Sequence, residues 1–476
     1  MNHRCKLIAT LGPGCDDPDI CYQIIKSGVN IARINMSHGT LEQHYHRVEQ
    51  FKTLSKQLGV QTGIMLDLQG PKIRIGSFIN DSIELLPEAD FKLSKSVPAH
   101  AGNAKEVAVF DDFIFSDVDV GQVLCLDDGR IELQVVNKTH DTLNTKVLVG
   151  GILSSRKGLN VRGGGLSAPS VTDVDLKNLA AGLKWGINYV AVSFVKSPND
   201  IVLVRNHLKD YPEVGVIAKI ECAEAVDDLQ AIIDVSDGIM IARGDLAIEV
   251  GDARVPVIQK EAIRLSRYDY KPVIVATQML DSMVENPIPT RAETSDVANA
   301  VMDGADAIMM SAETAVGKHP IVVVSMAINI ISEVEKHLSE LNPSLSKKLR
   351  FSHIDEAIAM AAMYTANRYA ISAIVTLTES GMTPLMLSRI RTDIPIFAVS
   401  EHLITIGKMC LFRGVYPIHI VVPDNKKNKL AQTILTELQL RNIINEGDIV
   451  MVTKGDALGE SGGTNTLKII EIKGES

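Results

Sequence analysis

Short apolar runs rich in β-branched residues alternate with longer stretches of helical period along most of this chain. Each run is the length of a buried strand, and each longer stretch repeats its apolar positions every three to four residues. The pattern predicts strand Cys5–Leu11, helix Asp19–Lys26, strand Val29–Ile34, helix Leu41–Leu58 and strand Gln61–Leu66, which stops at Asp67. At Gly70-Pro71-Lys72 the rhythm changes. From Ile73 to Gly165 only short strands and turn signals such as Asp127-Asp-Gly-Arg130 occur, and Gly151–Gly165 is rich in glycine. This reads as a small all-β insertion on hinges.

The alternation resumes at Thr172 with helix Asp173–Lys184, strand Tyr189–Phe194, helix Pro198–Lys209, strand Val216–Ile220 and helix Ala223–Ile233. Strand Gly238–Ala242, helix Pro256–Arg267, strand Pro272–Thr277, helix Arg291–Met302, strand Ala307–Ser311 and helix Pro320–Lys336 complete it. Three strands before the insertion and five after make eight, the number in a (β/α)8 barrel. The polar Asn342–Lys348 reads as a linker to a further α/β unit that starts near Ile354. The expected fold class is α/β: a (β/α)8 TIM barrel over 1–70 and 167–341, an inserted small β-barrel lid over 71–166, and a C-terminal α/β domain over 342–476.

Composition narrows the picture. With 476 residues, 46% hydrophobic and only 4% aromatic, the chain is long enough for several cores and too apolar for disorder. A net charge of −10 argues against nucleic-acid partners and acidic membranes, so an anionic substrate must be drawn by a local basic cleft. Six cysteines without C-x-x-C or zinc spacing suggest reduced thiols in a cytoplasmic protein, and Cys222 reads as a buried filler. No targeting or membrane-spanning segment is expected.

In a barrel of this type, chemistry sits at the C-terminal ends of the strands. Val216-Ile-Ala-Lys-Ile-Glu221 and Ile239-Met-Ile-Ala-Arg-Gly-Asp-Leu246 both end on charges there. Lys219 and Glu221 are two apart and share a strand face. With Asp245, just past the flexible Gly244, they place one ammonium and two hard carboxylates together, a set able to hold a divalent ion and a polyanion. Arg33, Asn35 and Ser37 end another strand and suit an oxyanion. Lys72, Arg74 and Lys157 are cations on or near the insertion, Thr277 offers a hydroxyl at a strand end, and Ser311 and Glu313 are supporting candidates. Each of these, alone, also reads as a structural ion pair, a cap or a solvated loop charge, and for Arg33 and Lys157 standing alone that plainer reading is the preferred one. In the last domain, Thr376-Leu-Thr-Glu-Ser-Gly-Met-Thr383 joins a strand to a helix and resembles an anion site, with Glu460–Thr464 as a partner loop.

Taken together, the strings ARINMSHG, LDLQGPKIR, GGGLSAPS, AVSF, IAKIE, ARGDLAIEVG, ATQMLDSM, PTRAETSDVANAV and SAETAVGKHP resemble the pyruvate kinase family, in a bacterial form, over essentially the whole chain. That resemblance implies transfer of the phosphoryl group of phosphoenolpyruvate to ADP, giving ATP and pyruvate in glycolysis. It implies that Arg33 contacts the transferring phosphate, that Lys219 stabilises charge on the phosphoryl group and enolate, and that Glu221 and Asp245 bind Mg²⁺ or Mn²⁺. Gly244 and Asp245 are implied to offer amides to the substrate carboxylate, Thr277 to lie on the proton route, and Arg74 and Lys157 to meet the nucleotide.

One departure stands out. Many members hold K⁺ through groups equivalent to Asn35, Ser37, Asp67 and position 68, and carry threonine, lysine, glutamate and threonine at 68, 69, 72 and 75. This chain has Leu68, Gln69, Lys72 and Ile75. The expectation is that Lys72 replaces K⁺, which is then not required. The resemblance further implies a homotetramer and a phosphorylated effector, AMP or a sugar monophosphate, at Thr376, Thr378, Ser380, Gly381 and Thr383. Two rival readings are a barrel lyase that uses Mg²⁺ on Glu and Asp, and a non-catalytic metabolite sensor.

Overall fold

A computed structural model describes residues 3–339, 351–423, 425, 429–455 and 463–473, so the expected linker Asn342–Lys348 and most of the Glu460–Thr464 loop lie outside the described residues. The eight runs form β1 (Lys6–Thr10), β2 (Ile31–Asn35), β3 (Gly63–Asp67), β4 (Tyr189–Val192), β5 (Gly215–Ile220), β6 (Gly238–Ala242), β7 (Val273–Ala276) and β8 (Ala307–Met310). They close into a parallel barrel in chain order, with β8 pairing β1. Nearly every residue in these strands is buried, as a strand covered on both sides requires. The register sets Asn35 beside Asp67, and Asp67 beside Ala191, so the strand ends meet at one rim.

Several helices begin where side chains satisfy their free amides. Thr40, Thr172 and Thr290 each close a capping box, with Gln43, Asp175 and Glu293 respectively. The expected helix Ala223–Ile233 is two segments, Ala223–Asp227 and Leu229–Val235, which meet at Asp228. A helix over Arg243–Val250 starts directly from β6, so Gly244 and Asp245 lie in its first turn rather than in a loop.

The insertion contributes a six-stranded sheet and a two-stranded pair around a core that includes Phe78, Phe91, Leu93 and Leu124. Its Asp127-Asp-Gly turn has three successive positive φ values, the backbone a tight hairpin needs. The last domain is a five-stranded sheet in the order β11-β10-β9-β12-β13, with β9 (Ala373–Leu377), β10 (Ile396–Ser400), β11 (Val415–His419), β12 (Ile449–Gly455) and an antiparallel β13 (Thr464–Glu471).

This domain seats against the end of the barrel opposite the site. Inward barrel residues Ile8, Met65, Tyr189, Met240 and Ile274 share one apolar cluster with Ile374, Leu385, Met409 and Phe412. Tyr189 donates its hydroxyl to the Lys408 carbonyl at 2.9 Å, and a Cβ on Gly63 would lie 2.5 Å from the Gly407 carbonyl oxygen. Glycine is therefore obligatory at Gly63 for this approach. Gly407 is equally tight, its missing Cβ falling 2.2 Å from Asn188 Nδ2.

Candidate active site

Alternation along β5 turns Lys219 inward, and Glu221 follows it just past the strand end. The Lys219 ammonium meets Glu221 Oε1 at 2.9 Å and Asp67 Oδ1 at 3.2 Å, and donates to Ser193 Oγ at 2.7 Å. Arg33, from β2, donates Nε to Asp67 Oδ2 at 2.6 Å and Nη1 to Thr10 Oγ1 at 3.0 Å. Asp67 is thus held between two cations. All four groups of this cluster are buried.

Burial alone would disfavour the Lys219 charge, but Asp67 and Glu221 reverse that and raise its pKa to about 12. Burial also works against the Asp67 carboxylate, and Lys219 and Arg33 outweigh it, holding Asp67 below the usual carboxylate range. Glu221 ends on the other side. Burial pushes it up, Lys219 offsets part of this, and the Asp245 charge adds to the rise. Two carboxylates that repel each other at a strand rim have the donor chemistry a divalent ion requires. Asp245 meets Lys72 Nζ at 3.1 Å, and Glu221 Oε2 accepts from the Phe194 amide at 2.8 Å.

Thr277 follows β7 with φ 68°, and Gln278 has φ 53°. Two successive left-handed residues without glycine are costly, and such backbone is held in place by its surroundings. Here Thr277 Oγ1 accepts from the Gly244 amide at 2.8 Å and donates to the Ala276 carbonyl at 2.7 Å. Arg243 donates to the Thr277 carbonyl at 2.9 Å and is itself fixed by Asp296 at 2.7 Å.

The remaining candidates are more spread out. Asn35 Oδ1 accepts from the Ser37 amide at 3.2 Å and closes the turn after β2. Arg74 bridges to Gly158 on the insertion and donates to the Arg156 carbonyl at 3.2 Å, while Lys157 pairs with Asp127 at 2.7 Å. The His38 imidazole is pushed down first by burial and then by Arg74, Arg33 and Lys72, so these three cations act on one rim. The Lys72 ammonium expected among Asn35, Ser37 and Asp67 pairs with Asp245, whereas the two Asp67 oxygens face Arg33 and Lys219. Glu313, buried, accepts from the Leu280 and Ser311 amides, a supporting role. Cys222 is buried and donates to the Val195 carbonyl, and burial pushes its thiol well up.

In the last domain, Thr376 lies within β9, fully buried, rather than in the loop. Thr378 Oγ1 accepts from the Gly381 amide at 2.9 Å, and Thr383 and Thr464 share a hydroxyl contact of 2.6 Å. Ser380 sits between them in the loop.

Sequence reasoning passed over Ser193, Thr10, Arg243 and Asp296, which hold Lys219, Arg33 and Thr277. Ser193 stands in AVSF and Asp296 in PTRAETSDVANAV. Their chemistry is ordinary, and only their place across the barrel from a charged group marks them.

Residues 2–324 match the family model "Pyruvate kinase, barrel domain" and residues 356–470 match "Pyruvate kinase, alpha/beta domain". The chain belongs to the pyruvate kinase family. Curated pyruvate kinases agree along the whole chain. One from Buchnera aphidicola subsp. Acyrthosiphon pisum is 44% identical over 98% of each chain, and a pyruvate kinase II from Salmonella typhimurium is 40% identical over 99% of each. One from Geobacillus stearothermophilus is 37% identical over 98% of this chain and 80% of its own. Pyruvate kinases are phosphotransferases and generally use a divalent metal. Among the described residues no helix is long and apolar enough to cross a membrane.

Proposed function

We propose that this chain is a pyruvate kinase of glycolysis that transfers the phosphoryl group of phosphoenolpyruvate to ADP and then protonates the enolate to pyruvate. The observation that carries the reading is the buried Arg33–Asp67–Lys219–Glu221 cluster facing Asp245 at one barrel rim. Glu221 and Asp245 would hold Mg²⁺ or Mn²⁺, which supplies charge neutralisation to the phosphoryl and enolate oxygens when bound.

Phosphoryl transfer asks the protein for position and fixed charge rather than covalent help. Lys219 suits that task because its pKa of about 12 keeps it charged throughout the working range. The same value makes it a poor proton donor to the enolate. Its role is therefore electrostatic, beside Arg33 on the transferring phosphate. The proton arrives by another route, for which the Thr277 hydroxyl, at the strained end of β7, is the candidate. To bind the substrate carboxylate through Gly244 and Asp245, the Gly244 amide must exchange Thr277 Oγ1 for the ligand. Arg74 and Lys157 would meet ADP from the inserted domain, whose closure excludes water and limits hydrolysis.

Lys72 is read as the built-in counterpart of K⁺. Its ammonium supplies a fixed charge beside Asp245, so that activity is independent of monovalent cation. The chain is read as a cytoplasmic homotetramer, and the loop carrying Thr378, Ser380, Gly381 and Thr383 as the site of a phosphorylated effector, AMP or a sugar monophosphate.

The test is pyruvate formation from phosphoenolpyruvate with ADP and Mg²⁺, in tetramethylammonium buffer and again with K⁺. Equal, ADP-dependent activity in both supports the whole reading. Activity only with K⁺ keeps the kinase and overturns the Lys72 assignment. Without ADP-dependent turnover in either, the lyase and sensor readings return. Loss of every effector response on Ser380→Ala or Thr383→Ala supports the effector loop, and retention of all of them removes it.

A further inference from the structure

A cavity of about 310 Å³ lies where the C-terminal domain meets the barrel, at the end away from the site. Its size is that of a small-ligand pocket. Its lining includes the apolar Ile371 and Ile394, the cationic Arg267, Arg391 and Arg413, and Asn367.

The charges on this wall do not balance. Asp306 is engaged by Arg389, Glu335 by Arg413 at 3.6 Å and by Arg4, and Asp393 by Arg4. Arg267 and Arg391 meet no carboxylate among the described residues. Arg267 donates to the Gly304 carbonyl at 3.2 Å and the Arg389 carbonyl at 2.6 Å. Arg391 donates to the Met302 carbonyl at 2.7 Å. Asp303, the acid whose charge acts on Arg391, is already taken by Lys260. Burial, then the neighbouring Arg389, pulls the Arg267 guanidinium down to about 9, and the charge of Asp306 offsets only part of this.

A half-buried guanidinium without an acid beside it is an unfilled requirement for a planar oxyanion, which its fork of N–H groups fits. We propose that this cavity binds a small organic anion, its phosphoryl or carboxylate head on Arg267 and Arg391 and its body against Ile371 and Ile394. The site is separate from both the barrel rim and the Thr376–Thr383 loop.

Such a ligand ties helix Val255–Tyr268 of the barrel, which carries Arg267, to the C-terminal domain, which carries Arg391. It also has a route of contacts toward the rim. Arg389 touches the cavity's charged wall through its carbonyl and grips Asp306, and Asp306 accepts from the amide of Val273 at 3.0 Å. Val273 is the first residue of β7, and Thr277 follows its last.

The experiment is a thermal-shift titration of the full-length protein with inorganic phosphate and with butyrate, against chloride of equal ionic strength. It is run on the wild type, on Lys219→Met to remove the main anion contact at the rim, and on Arg391→Met. The expected result is a stabilisation by at least one probe that persists in Lys219→Met and weakens at least tenfold in apparent affinity in Arg391→Met. Should Arg391→Met not fold, Arg391→Lys, which keeps the charge and loses the fork, is expected to weaken binding several-fold. A response to phosphate alone assigns a phosphoryl ligand, and one to butyrate alone a carboxylate. The proposal is overturned if neither probe exceeds chloride, if the response disappears in Lys219→Met, or if the Arg391 variants bind as the wild type does.

Discussion

Removing the Lys219 ammonium tests the electrostatics of the site independently of turnover. In Lys219→Met the side chain keeps its bulk, but Asp67 and Glu221 lose a cation held at 3.2 and 2.9 Å. The rise of the lysine pKa from 10.5 to about 12 corresponds to about 2 kcal/mol of net preference for the charged form in this buried place. Leaving a buried partner uncompensated costs about 3–5 kcal/mol. Asp67 retains Arg33 and stays ionised, so the penalty falls on Glu221, which burial and Asp245 already push up. The sign follows from linkage. The lysine's contribution in the wild type is fully present below pH 10.5 and is lost only as pH rises through about 12, so it is constant between pH 5 and 8. In the variant, Glu221 folds best protonated, and stability present in acid is lost as pH rises through its raised pKa. The thermal midpoint of Lys219→Met should therefore fall away from that of the wild type as pH rises above the usual carboxylate range, by an amount equivalent to about 3–5 kcal/mol once Glu221 is ionised. Thermal unfolding followed by circular dichroism across that rise in pH reads it. A difference of midpoints that stays constant with pH would refute the argument, because a packing defect does not titrate.

Three further outcomes are expected. Thr277→Gly should unfold at a higher temperature than Thr277→Ala, by about 1 kcal/mol, because only glycine sits at φ 68° without strain; Thr277→Ser should keep most of the turnover that both lose, and equal stability of the two would show the backbone to be relaxed. Asp306→Asn should cost about 3–5 kcal/mol by leaving buried Arg389 without its carboxylate, and an unchanged melting midpoint would mean that the pair contributes little to seating the C-terminal domain. Lys72→Glu, which sets a like charge against Asp245, should lower pyruvate formation in tetramethylammonium and regain only part of it with K⁺; full recovery would show that the ammonium has no role beyond the cation's.

The eight apolar runs identified the barrel because a strand covered on both faces is written as an unbroken apolar segment, as in Gly238-Ile-Met-Ile-Ala242. The pairing of Lys219 with Glu221 was equally legible, since two residues on a strand share a face. The helix over Arg243–Val250 was not. Its eight residues carry only Leu246 and Ile248 as buried positions, too few for a period, and its start has no side-chain cap. Lys72 shows a different limit. Sequence marks it as a cation near the hinge, but its partner, Asp245, is 173 residues away and is chosen by how the inserted domain lies on the barrel. Ser193 and Arg243 escaped for the same reason, because each acts on a group that only closure of the barrel brings near.

The contact between Gly63 and Gly407 bears on how this chain can be divided. The catalytic barrel has no floor of its own: Met65, Tyr189 and Met240 are sealed by residues that belong to the last third of the chain. Cut away before Ile354, the barrel would open an oily shaft to water at the end opposite its chemistry. The two domains therefore share one core at this end. A genetic fusion that borrows this barrel must bring the lid of its lower end along, or supply another helix as small at its point of entry as Gly407 makes this one.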